Sequence, residues 1–329
     1  MEQSKSELDQ QAIEKTAALA KRLETEVLGA FVGNPQPVRL AVLGLLSGLH
    51  LLVEDIPGVG KTTLALALAR SAGLDFSRIQ FTPDLLPGDV LGMNIWDPVK
   101  REFEYRQGPI HAHFILADEL NRASPRTQAA FLEAMQEAQV SIDGLTRPLP
   151  EPFFLVGTQN PSSFAGTFPL PEAELDRFGL SLSIGYPAEE DENSILAIHR
   201  GGERPQSSLD RITAVCDAEM ILKIRSAMAD IHVSEPVRSW LVALVRSSRS
   251  NQNIRLGASP RAALALQEAA RSHAALEGRR MVMPEDIMAV APAVLAHRIQ
   301  ISSKARLAGL DPKECVCRLC QDIPIPTGL

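Results

Sequence analysis

The feature that most constrains the fold of this 329-residue chain is a glycine-rich loop between an apolar run and a helical pattern. Residues 51–53 are Leu-Leu-Val, which is typical of a short buried strand, and residues 61–71 have the apolar spacing of a helix. The loop between them runs from Asp55 to Thr63 and contains two glycines. Glycines allow backbone N–H groups to converge on a phosphate, and the N-terminus of the following helix adds a positive end. The sequence therefore predicts an α/β fold with a phosphate-binding loop.

Individual residues of this loop have distinct expected roles. Lys61 would reach the β- and γ-phosphates of a nucleotide, and Thr62 would hold Mg²⁺. The residues expected to bind the phosphates around them are Pro57, Gly58, Val59, Gly60 and Thr63. The generic pattern G-x-x-x-x-G-K-[ST] requires glycine where this chain has Asp55. The alternative interpretation is a glycine-rich turn that caps a helix beside a solvated lysine.

Two carboxylates follow another strongly apolar run. Residues 114–117 are Phe-Ile-Leu-Ala and lead directly into Asp118 and Glu119. Ligands of open α/β sheets bind at the carboxyl ends of the strands, so both side chains are expected at the same sheet edge as the loop. We expect Asp118 to orient Mg²⁺ through a water molecule and Glu119 to position the water that attacks the phosphate. An exposed acidic turn after a strand is the alternative.

A third apolar run also ends in polar residues. Residues 153–156 are Phe-Phe-Leu-Val, and Asn160 follows in the string Thr-Gln-Asn-Pro at 158–161. At the end of a third strand, the amide of Asn160 would hold the attacking water near the γ-phosphate. An Asn-Pro pair is also common in ordinary turns, which is the other interpretation.

Hydrophobic periodicity divides the chain into an α/β part, residues 1–187, and a helical part, residues 188–329. In the α/β part we expect helices at 11–31, 37–47 and 125–138, strands at 75–81 and 180–184, and hairpins at 92–106 and 139–149. In the helical part we expect helices at 189–199, 218–229, 235–248, 260–276 and 285–296, a loop at 201–208, and no strand between 188 and 310. Strands that alternate with helices predict a mainly parallel sheet flanked by helices on both faces.

Charge and composition exclude several classes of protein. The chain has 33 Lys and Arg against 40 Asp and Glu, a formal net charge of -7. This makes it a poor candidate for sequence-independent nucleic-acid binding, which depends on neutralising phosphates. The longest nearly apolar stretch, residues 40–53, is too short to cross a bilayer. The polar N-terminus lacks the apolar run of a signal peptide, so we expect a cytoplasmic protein with no membrane span.

Taken together, these residues resemble the MoxR family of AAA+ ATPases. The similarity covers residues 25–305 and rests on motifs that follow one another in a specific order. The motifs begin at Glu54 (EDIPGVGKT), Ala117 (ADELNRA), Gln128 (QAAFLEAM), Gly157 (GTQNP), Leu170 (LPEAELDRF) and Ser259 (SPRA). The Asp55 that departs from the generic loop pattern is usual in this family.

The resemblance implies a P-loop AAA+ core followed by an all-helical lid domain, with ATP and Mg²⁺ as ligands. The roles that it implies are Walker A for Lys61 and Thr62, Walker B for Asp118 and Glu119, sensor 1 for Asn160, sensor 2 for Arg261 and the arginine finger for Arg177. An arginine finger acts on the ATP of a neighbouring subunit. The alternative for Arg177 is an ion pair within its own chain, for example with Glu174.

The family further implies a homo-oligomeric ring, commonly a hexamer, with ATP at the subunit interfaces. Residues 92–106 and 139–149 match the helix-2 insert and the hairpin before sensor 1 of its clade, which face the central pore or the client. Members remodel, mature or activate client proteins, often with a partner that carries a von Willebrand factor A domain.

Two other functions stay open. One is a nucleic-acid motor of the same clade, against which the net charge of -7 argues. The other is a nucleotide-dependent scaffold that does not hydrolyse ATP. The presence of Glu119, Asn160 and Arg177 argues against the scaffold.

Three arginines keep two interpretations each. Arg261 lies in the first turn of a predicted helix, where a cation is unfavourable unless an anion such as the γ-phosphate is near. The alternative is an ordinary surface arginine. Arg122 and Arg126 follow the two carboxylates, and either contact nucleotide across an interface or pair with Asp118 or Glu119.

The C-terminal cysteines and a tryptophan are similarly open. Cys315, Cys317 and Cys320 form C-x-C-x-x-C, which is either part of a metal site or one face of an amphipathic helix at 311–322. Trp96 lies in the first expected hairpin, where it either contacts a client or packs the hairpin itself.

Overall fold

The computed structural model describes residues 2–160, 167–200 and 206–326. Residues 201–205 of the expected loop, and Pro161 of the Asn-Pro pair, lie outside these ranges. Residues 206–208 of that loop belong instead to a short helix, so the loop prediction is wrong there. A single helical turn is too short to produce a recognisable apolar period.

The strands of the α/β part lie at the predicted places. In chain order they are β1 (Leu51–Glu54), β2 (Phe76–Gln80), β3 (Gly92–Asp97), β4 (Glu102–Gln107), β5 (Phe114–Asp118), β6 (Gln139–Ile142), β7 (Leu145–Pro148), β8 (Phe154–Gln159) and β9 (Leu180–Leu182). Five of them form one parallel sheet in the order β2–β5–β8–β1–β9. The predicted parallel sheet and both predicted hairpins, β3–β4 and β6–β7, are confirmed.

The sheet is buried on both faces, as the continuous apolar runs predicted. In β1, Leu51 and Val53 face one hydrophobic core, while Leu52 faces the other. The same alternation holds in β5, where Leu116 and Ile115 face opposite cores. The first core continues into the helical part of the chain, so the two parts share buried apolar surface.

The four predicted helices of the α/β part are confirmed, and the structure adds two short helices of five and four residues. They are α1 (Glu2–Ala30), α2 (Pro35–Ser47), α3 (Lys61–Ser71), α4 (Pro87–Leu91), α5 (Pro125–Glu137) and α6 (Glu172–Leu175). The first helix begins at Glu2 rather than at residue 11, because the polar residues before position 11 carry no apolar period that could reveal it.

The helical part contains the five predicted helices within one or two residues. Its helices are α7 (Glu189–Arg200), α8 (Gln206–Asp210), α9 (Ala218–Ala229), α10 (Glu235–Ser247), α11 (Pro260–Leu276), α12 (Pro284–Leu295), α13 (Ser303–Leu307) and α14 (Pro312–Asp322). The prediction of no strand in this part is wrong, since β10 (Ile254–Leu256) and β11 (Gln300–Ile301) form a small antiparallel ribbon. Strands of two and three residues are too short for a period of two to be recognised. None of the helices in the described residues combines the length and the apolar character needed to span a bilayer.

The two hairpins of the α/β part are tied to each other. Asn94 of β3 donates a hydrogen bond to Asp143, in the turn between β6 and β7, at 2.6 Å. In β3–β4 the Trp96 and Phe103 rings pack edge to face, with centroids 5.2 Å apart, while both side chains stay largely exposed. Trp96 therefore packs its own hairpin and also presents apolar surface.

A buried arginine joins the helical part to the strand segment before β9. Arg298, in the 3₁₀ turn after α12, donates to the Asp176 carboxylate at 3.1 Å and to the carbonyl oxygens of Phe178 and Gly179 at 2.5 and 2.9 Å. Ser259, the N-cap of α11, donates to the second Asp176 oxygen at 2.8 Å. The segment that carries Arg177 is therefore held from both sides of Asp176 by the helical part.

His297, at the same junction, is expected to make the stability of the fold depend on pH. Burial, followed by the nearby Arg298 charge, lowers the pKa of His297 from 6.5 to about 3, while its Nε2–H donates to the Phe178 carbonyl. Between pH 6.5 and about pH 3, His297 is therefore protonated in the unfolded chain but neutral in the folded chain. Protonation thus favours the unfolded chain, and the folded chain loses stability as the pH falls below 6.5. At pH 5 we expect this residue to cost about 1 to 2 kcal/mol.

Urea unfolding at pH 7.5 and pH 5 measures this effect. The loss of unfolding free energy between the two pH values should be smaller in His297→Gln than in the wild type. His232→Gln, at an exposed position, is the matched control and should lose as much as the wild type. Equal losses in all three proteins would contradict the assignment.

Candidate nucleotide-binding site

The glycine-rich loop adopts a conformation that depends on its glycines. Gly58 and Gly60 both have φ of 88°, in the left-handed region that side chains disfavour. Gly60 also lies against the ring of Phe31, at the end of the first helix, where a Cβ atom would meet the ring at 3.2 Å. Both positions therefore require glycine, and α3 begins immediately afterwards at Lys61.

Asp55, which departs from the generic pattern, anchors the loop to a distant part of the chain. It is buried, and its Oδ2 accepts hydrogen bonds from the N–H groups of Ile184 and Gly185 at 2.6 and 2.8 Å and from the Ser183 hydroxyl at 3.1 Å. A glycine could make none of these contacts. The aspartate thus fixes the start of the loop to the segment that follows β9.

Lys61 points across the loop towards acidic residues. Its Nζ donates to the backbone oxygen of Asp55 at 2.5 Å. Burial lowers the pKa of Lys61, and the carboxylates of Asp55, Asp118 and Glu119 oppose that change. The ammonium group is therefore held close to where the sequence predicts a phosphate.

The two carboxylates after β5 are positioned by β8. The hydroxyl of Thr158 donates to Asp118 Oδ1 at 2.7 Å and accepts from the backbone N–H of Glu119 at 2.9 Å. Glu119 has φ of 55°, a strained conformation for a residue other than glycine, and such strain is often found at functional sites. Thr158 was not assigned a role from the sequence, because its partners lie about 40 residues away.

Glu119 is also paired from two other directions. Arg122 donates to its Oε2 at 2.8 Å and Gln80, at the end of β2, donates to the same oxygen at 3.2 Å. Arg122 therefore pairs with Glu119 of its own chain, which is one of the two interpretations given above. Arg126 lies exposed near the start of α5.

These side chains line one cleft of about 330 Å³ at the carboxyl end of the sheet. The lining residues are Pro57, Gly58, Gly60, Lys61, Thr62, Thr63, Arg78, Asp118, Glu119, Thr158 and Asn160. The structure therefore brings together nearly all the residues predicted for phosphate, Mg²⁺ and water, and adds Arg78 and Thr158. The Thr62 hydroxyl and the Asp118 carboxylate offer the oxygen ligands that Mg²⁺ prefers, so the donor set fits this ion.

A second cavity lies beside the glycine-rich loop. It measures about 220 Å³ and shares Gly58, Gly60 and Thr63 with the cleft. Its remaining lining residues, mostly apolar, are Ala30, Phe31, Val32, Val59, Pro187, Ile195 and Ser208. An apolar cavity next to a phosphate-binding loop suits a flat nucleobase. The sequence did not reveal it, because its walls come from separate parts of the chain, at residues 30–32, 58–63, 187, 195 and 208.

Arg177 and Arg261 lie outside the cleft lining. Arg177 Nε forms an ion pair with Glu174 Oε2 at 3.1 Å, which is the in-chain alternative considered above. Arg261 lies exposed in the first turn of α11. Within one chain, neither arginine contributes to the cleft that the structure describes.

The C-terminal cysteines do not converge. Cys315 and Cys320 face the hydrophobic core, whereas Cys317 lies exposed on another side of α14. Burial raises the pKa of the Cys320 thiol to about 12. Among the described residues, no three His, Cys, Asp or Glu side chains are grouped so that they could hold a metal ion. The structure therefore favours the amphipathic-helix interpretation.

Two family models match the chain. The ATPase family associated with various cellular activities (AAA) matches residues 50–180, and the AAA lid domain matches residues 246–316. The first range contains the glycine-rich loop and both carboxylates, and the second contains Arg261.

Similar proteins span almost the whole length of the chain. The uncharacterized protein YeaC of Bacillus subtilis is 40% identical over 295 residues, which is 90% of this chain and 91% of that protein. Chaperone MoxR1 of Mycobacterium tuberculosis is 40% identical over 310 residues, which is 92% of this chain and 81% of that protein. A crystal structure from Cytophaga hutchinsonii, provisionally described as an ATPase, has a TM-score of 0.87 and 34% identity, and covers 99% of this chain and 100% of that chain.

Proposed function

The chain belongs to the MoxR family of AAA+ ATPases, and from this premise we propose that it hydrolyses ATP to remodel, mature or activate partner proteins. The observation that carries the proposal is the convergence of Lys61, Thr62, Asp118, Glu119 and Asn160 on one cleft, reached from three separate segments of the chain. The neighbouring apolar cavity supports a ligand that carries a flat nucleobase as well as phosphates.

The reaction is in-line attack of water on the γ-phosphorus, which breaks its bond to the β–γ bridging oxygen and releases ADP and phosphate. Lys61 and the loop N–H groups hold the phosphates, Asn160 orients the water, and a Glu119 carboxylate oxygen accepts the water's proton. Mg²⁺, held by Thr62 and through water by Asp118, would supply positive charge against the phosphate oxygens. Positioning and charge stabilisation account for most of the catalysis.

We propose a ring, with a hexamer as its expected size, in which the arginines outside the cleft complete the site. Arg177 acts on the ATP of the neighbouring subunit, and Arg261 senses the γ-phosphate bound to its own subunit. Residues 1–187 form the nucleotide-binding core and residues 188–329 the lid and C-terminal tail. Movement of the lid against the core would be transmitted through the Asp176 junction described above.

The two hairpins are the proposed contact with the client. Their exposed apolar side chains, including Trp96, Val99 and Phe103, support binding of a protein segment rather than a nucleic acid. A partner with a von Willebrand factor A domain would present the client. Trapping the complex with Glu119→Gln and ATP, followed by identification of the proteins that co-purify, is the way to find both.

Lys61→Ala tests the nucleotide site directly. The substitution removes the ammonium group that faces the phosphates, so ATP affinity should fall about 100-fold or more, a loss of about 3 kcal/mol. Calorimetric titration with Mg²⁺·ATP measures it. Lys223→Ala, an exposed lysine paired with Glu219 on α9, is the control and should bind normally. Unchanged affinity in Lys61→Ala would reject the Walker A assignment.

The two alternative functions are separated by activity measurements. A nucleic-acid motor predicts that DNA stimulates ATP hydrolysis at physiological salt, whereas the proposed function predicts no stimulation. A scaffold predicts nucleotide binding with no release of phosphate.

A further inference from the structure

Arg78 is a cation of the cleft to which no sequence pattern assigned a role. In β2, Ile79 is buried in a hydrophobic core, while Arg78 and Gln80 lie on the opposite face. That face borders the cleft, and Arg78 is one of its lining residues. Its side chain is 47% exposed, so it can change partners without disturbing the packing of the core.

Asp118 is the residue that now holds Arg78. Arg78 Nη2 donates to Asp118 Oδ2 at 2.5 Å, and the Thr158 hydroxyl donates to Oδ1. Both carboxylate oxygens therefore already accept a hydrogen bond from the chain. Each oxygen keeps a further lone pair, but the water molecules of hydrated Mg²⁺ are also donors and compete with these bonds for the Asp118 carboxylate.

Of the two donors, Arg78 is the one that can leave. Thr158 is buried and also holds the Glu119 backbone, so its hydroxyl has two partners to lose. Arg78 is half exposed, and its positive charge repels Mg²⁺. Its guanidinium group also donates to Gln80 Oε1 at 3.0 Å, and Gln80 in turn donates to Glu119. Movement of Arg78 therefore removes a hydrogen bond from Asp118 and, through Gln80, alters the hydrogen bonding of Glu119.

A phosphate is the natural second partner for this guanidinium. Its planar N–H groups match phosphate oxygens with two hydrogen bonds, which a lysine ammonium cannot do. Among the lining residues that the structure describes, Lys61 and Arg78 carry the positive charges, one at the start of α3 and the other on β2. Arg78 donates to Asp118, whose charge also acts on Lys61, so a terminal phosphate held by Lys61 beside Asp118 would lie near Arg78.

We propose that Arg78 exchanges Asp118 for the terminal phosphate of ATP, and that this exchange makes the site prefer ATP to ADP. The proposal rests on the proposed nucleotide function of the cleft. When ATP and Mg²⁺ bind, Arg78 gains a phosphate in return for the carboxylate. When ADP and Mg²⁺ bind, Arg78 loses the carboxylate and gains no partner. Arg78 thus weakens the binding of ADP and strengthens the binding of ATP.

The test is calorimetric titration of ATP and of ADP, each with Mg²⁺, in a Glu119→Gln parent that preserves the nucleotide. The ratio of the ADP and ATP dissociation constants should fall about 10-fold or more in Arg78→Ala, mainly through weaker ATP binding. Arg78→Lys keeps the charge without the planar group and should lie between the parent and Arg78→Ala. Arg318→Ala, which removes an exposed ion pair with Glu314 on α14, is the matched control and should keep the parent ratio.

Each other outcome has a distinct meaning. Equal strengthening of ATP and ADP binding would show that Arg78 only competes with Mg²⁺, and would overturn the proposal. Unchanged binding of both nucleotides would reduce Arg78 to a structural ion pair, and would also overturn it. A parent that binds neither nucleotide would reject the proposed function itself, which the parent titration reveals before any Arg78 variant is compared. If Arg78→Ala does not fold, Arg78→Gln replaces it with the same expected ratio.

Discussion

Glu119→Gln is expected to bind ATP with wild-type affinity and to hydrolyse it about 10²- to 10⁴-fold more slowly. Affinity survives because Glu119 is not among the residues proposed to hold the phosphates or Mg²⁺. Its backbone N–H, which donates to the Thr158 hydroxyl, is unchanged by the substitution. Hydrolysis is lost because an amide cannot accept the proton of the attacking water.

The surroundings of Glu119 explain why glutamine should preserve the geometry. The carboxylate oxygen Oε2 accepts hydrogen bonds from Arg122 and Gln80, and the amide oxygen of glutamine can accept the same two bonds. The isosteric side chain therefore keeps its orientation while it loses its charge and its basicity. Alanine at the same position would leave Arg122 and Gln80 without this partner, which would confuse loss of chemistry with loss of structure.

Phosphate release and calorimetry, measured on the same preparation, separate binding from hydrolysis. Glu133→Gln, an exposed carboxylate on α5, is the matched control and should retain both activities. Hydrolysis at the wild-type rate in Glu119→Gln would show that Glu119 has another role. Loss of ATP binding would show that this carboxylate supports the nucleotide rather than the water.

The fold could be predicted largely because its elements have strong local signals. The run at 114–117 is apolar at every position and buried on both sides in the structure, and α3 begins at Lys61 as expected. The start of α1 and the ribbon β10–β11 were missed for the opposite reason. One is polar and the other is very short, so neither has an apolar period that the sequence could reveal.

The candidate site shows the same division. The glycine-rich loop, Asp118, Glu119 and Asn160 follow strand ends that the sequence reveals, and a parallel sheet brings such ends to one edge. Thr158 and Arg78 remained hidden, because their importance lies in hydrogen bonds to Asp118 across strands β8 and β2. A pattern in one segment carries no information on which distant side chain will face it.

Asp55 illustrates how a departure from a motif gains a physical reason. The sequence shows only that the generic loop pattern is broken at this position. In the structure its carboxylate accepts three hydrogen bonds from residues 183–185, about 130 positions away in the chain. With aspartate instead of glycine at position 55, the start of the loop is less flexible and is fixed to the segment after β9.

The contacts of Arg177 within its own chain do not satisfy its whole guanidinium group. The backbone around it is fixed, because Phe178 is fully buried and Asp176 is held by Arg298 and Ser259. The side chain pairs with Glu174, yet Nη1 is shielded from solvent and no hydrogen-bond acceptor among the described residues is paired with it. We infer that the pair with Glu174 holds Arg177 until a neighbouring subunit supplies a phosphate.

Arg177→Ala should bind ATP nearly normally and hydrolyse it about 10³-fold or more slowly under conditions where the wild type forms rings. In the proposed ring, Arg177 stabilises charge on the transferring phosphoryl group of another subunit, so its loss should affect the rate and not the affinity. Wild-type activity per subunit should also rise with protein concentration as rings form. Glu174→Gln is the matched control, since it loosens the in-chain pair, keeps Arg177 and should keep most of the activity.

Mixing two inactive variants distinguishes a shared site from an in-chain ion pair. Lys61→Ala subunits keep Arg177, and Arg177→Ala subunits keep Lys61, so a mixed ring contains interfaces at which one subunit supplies the intact loop and its neighbour supplies the arginine. Such mixtures should therefore recover part of the wild-type rate, although each variant alone is inactive. If Arg177 only stabilises its own chain through Glu174, the mixture stays inactive, activity does not depend on concentration, and Glu174→Gln is as impaired as Arg177→Ala. That combination of results, in samples shown to contain rings, would reject the shared site and assign Arg177 to the stability of the segment before β9.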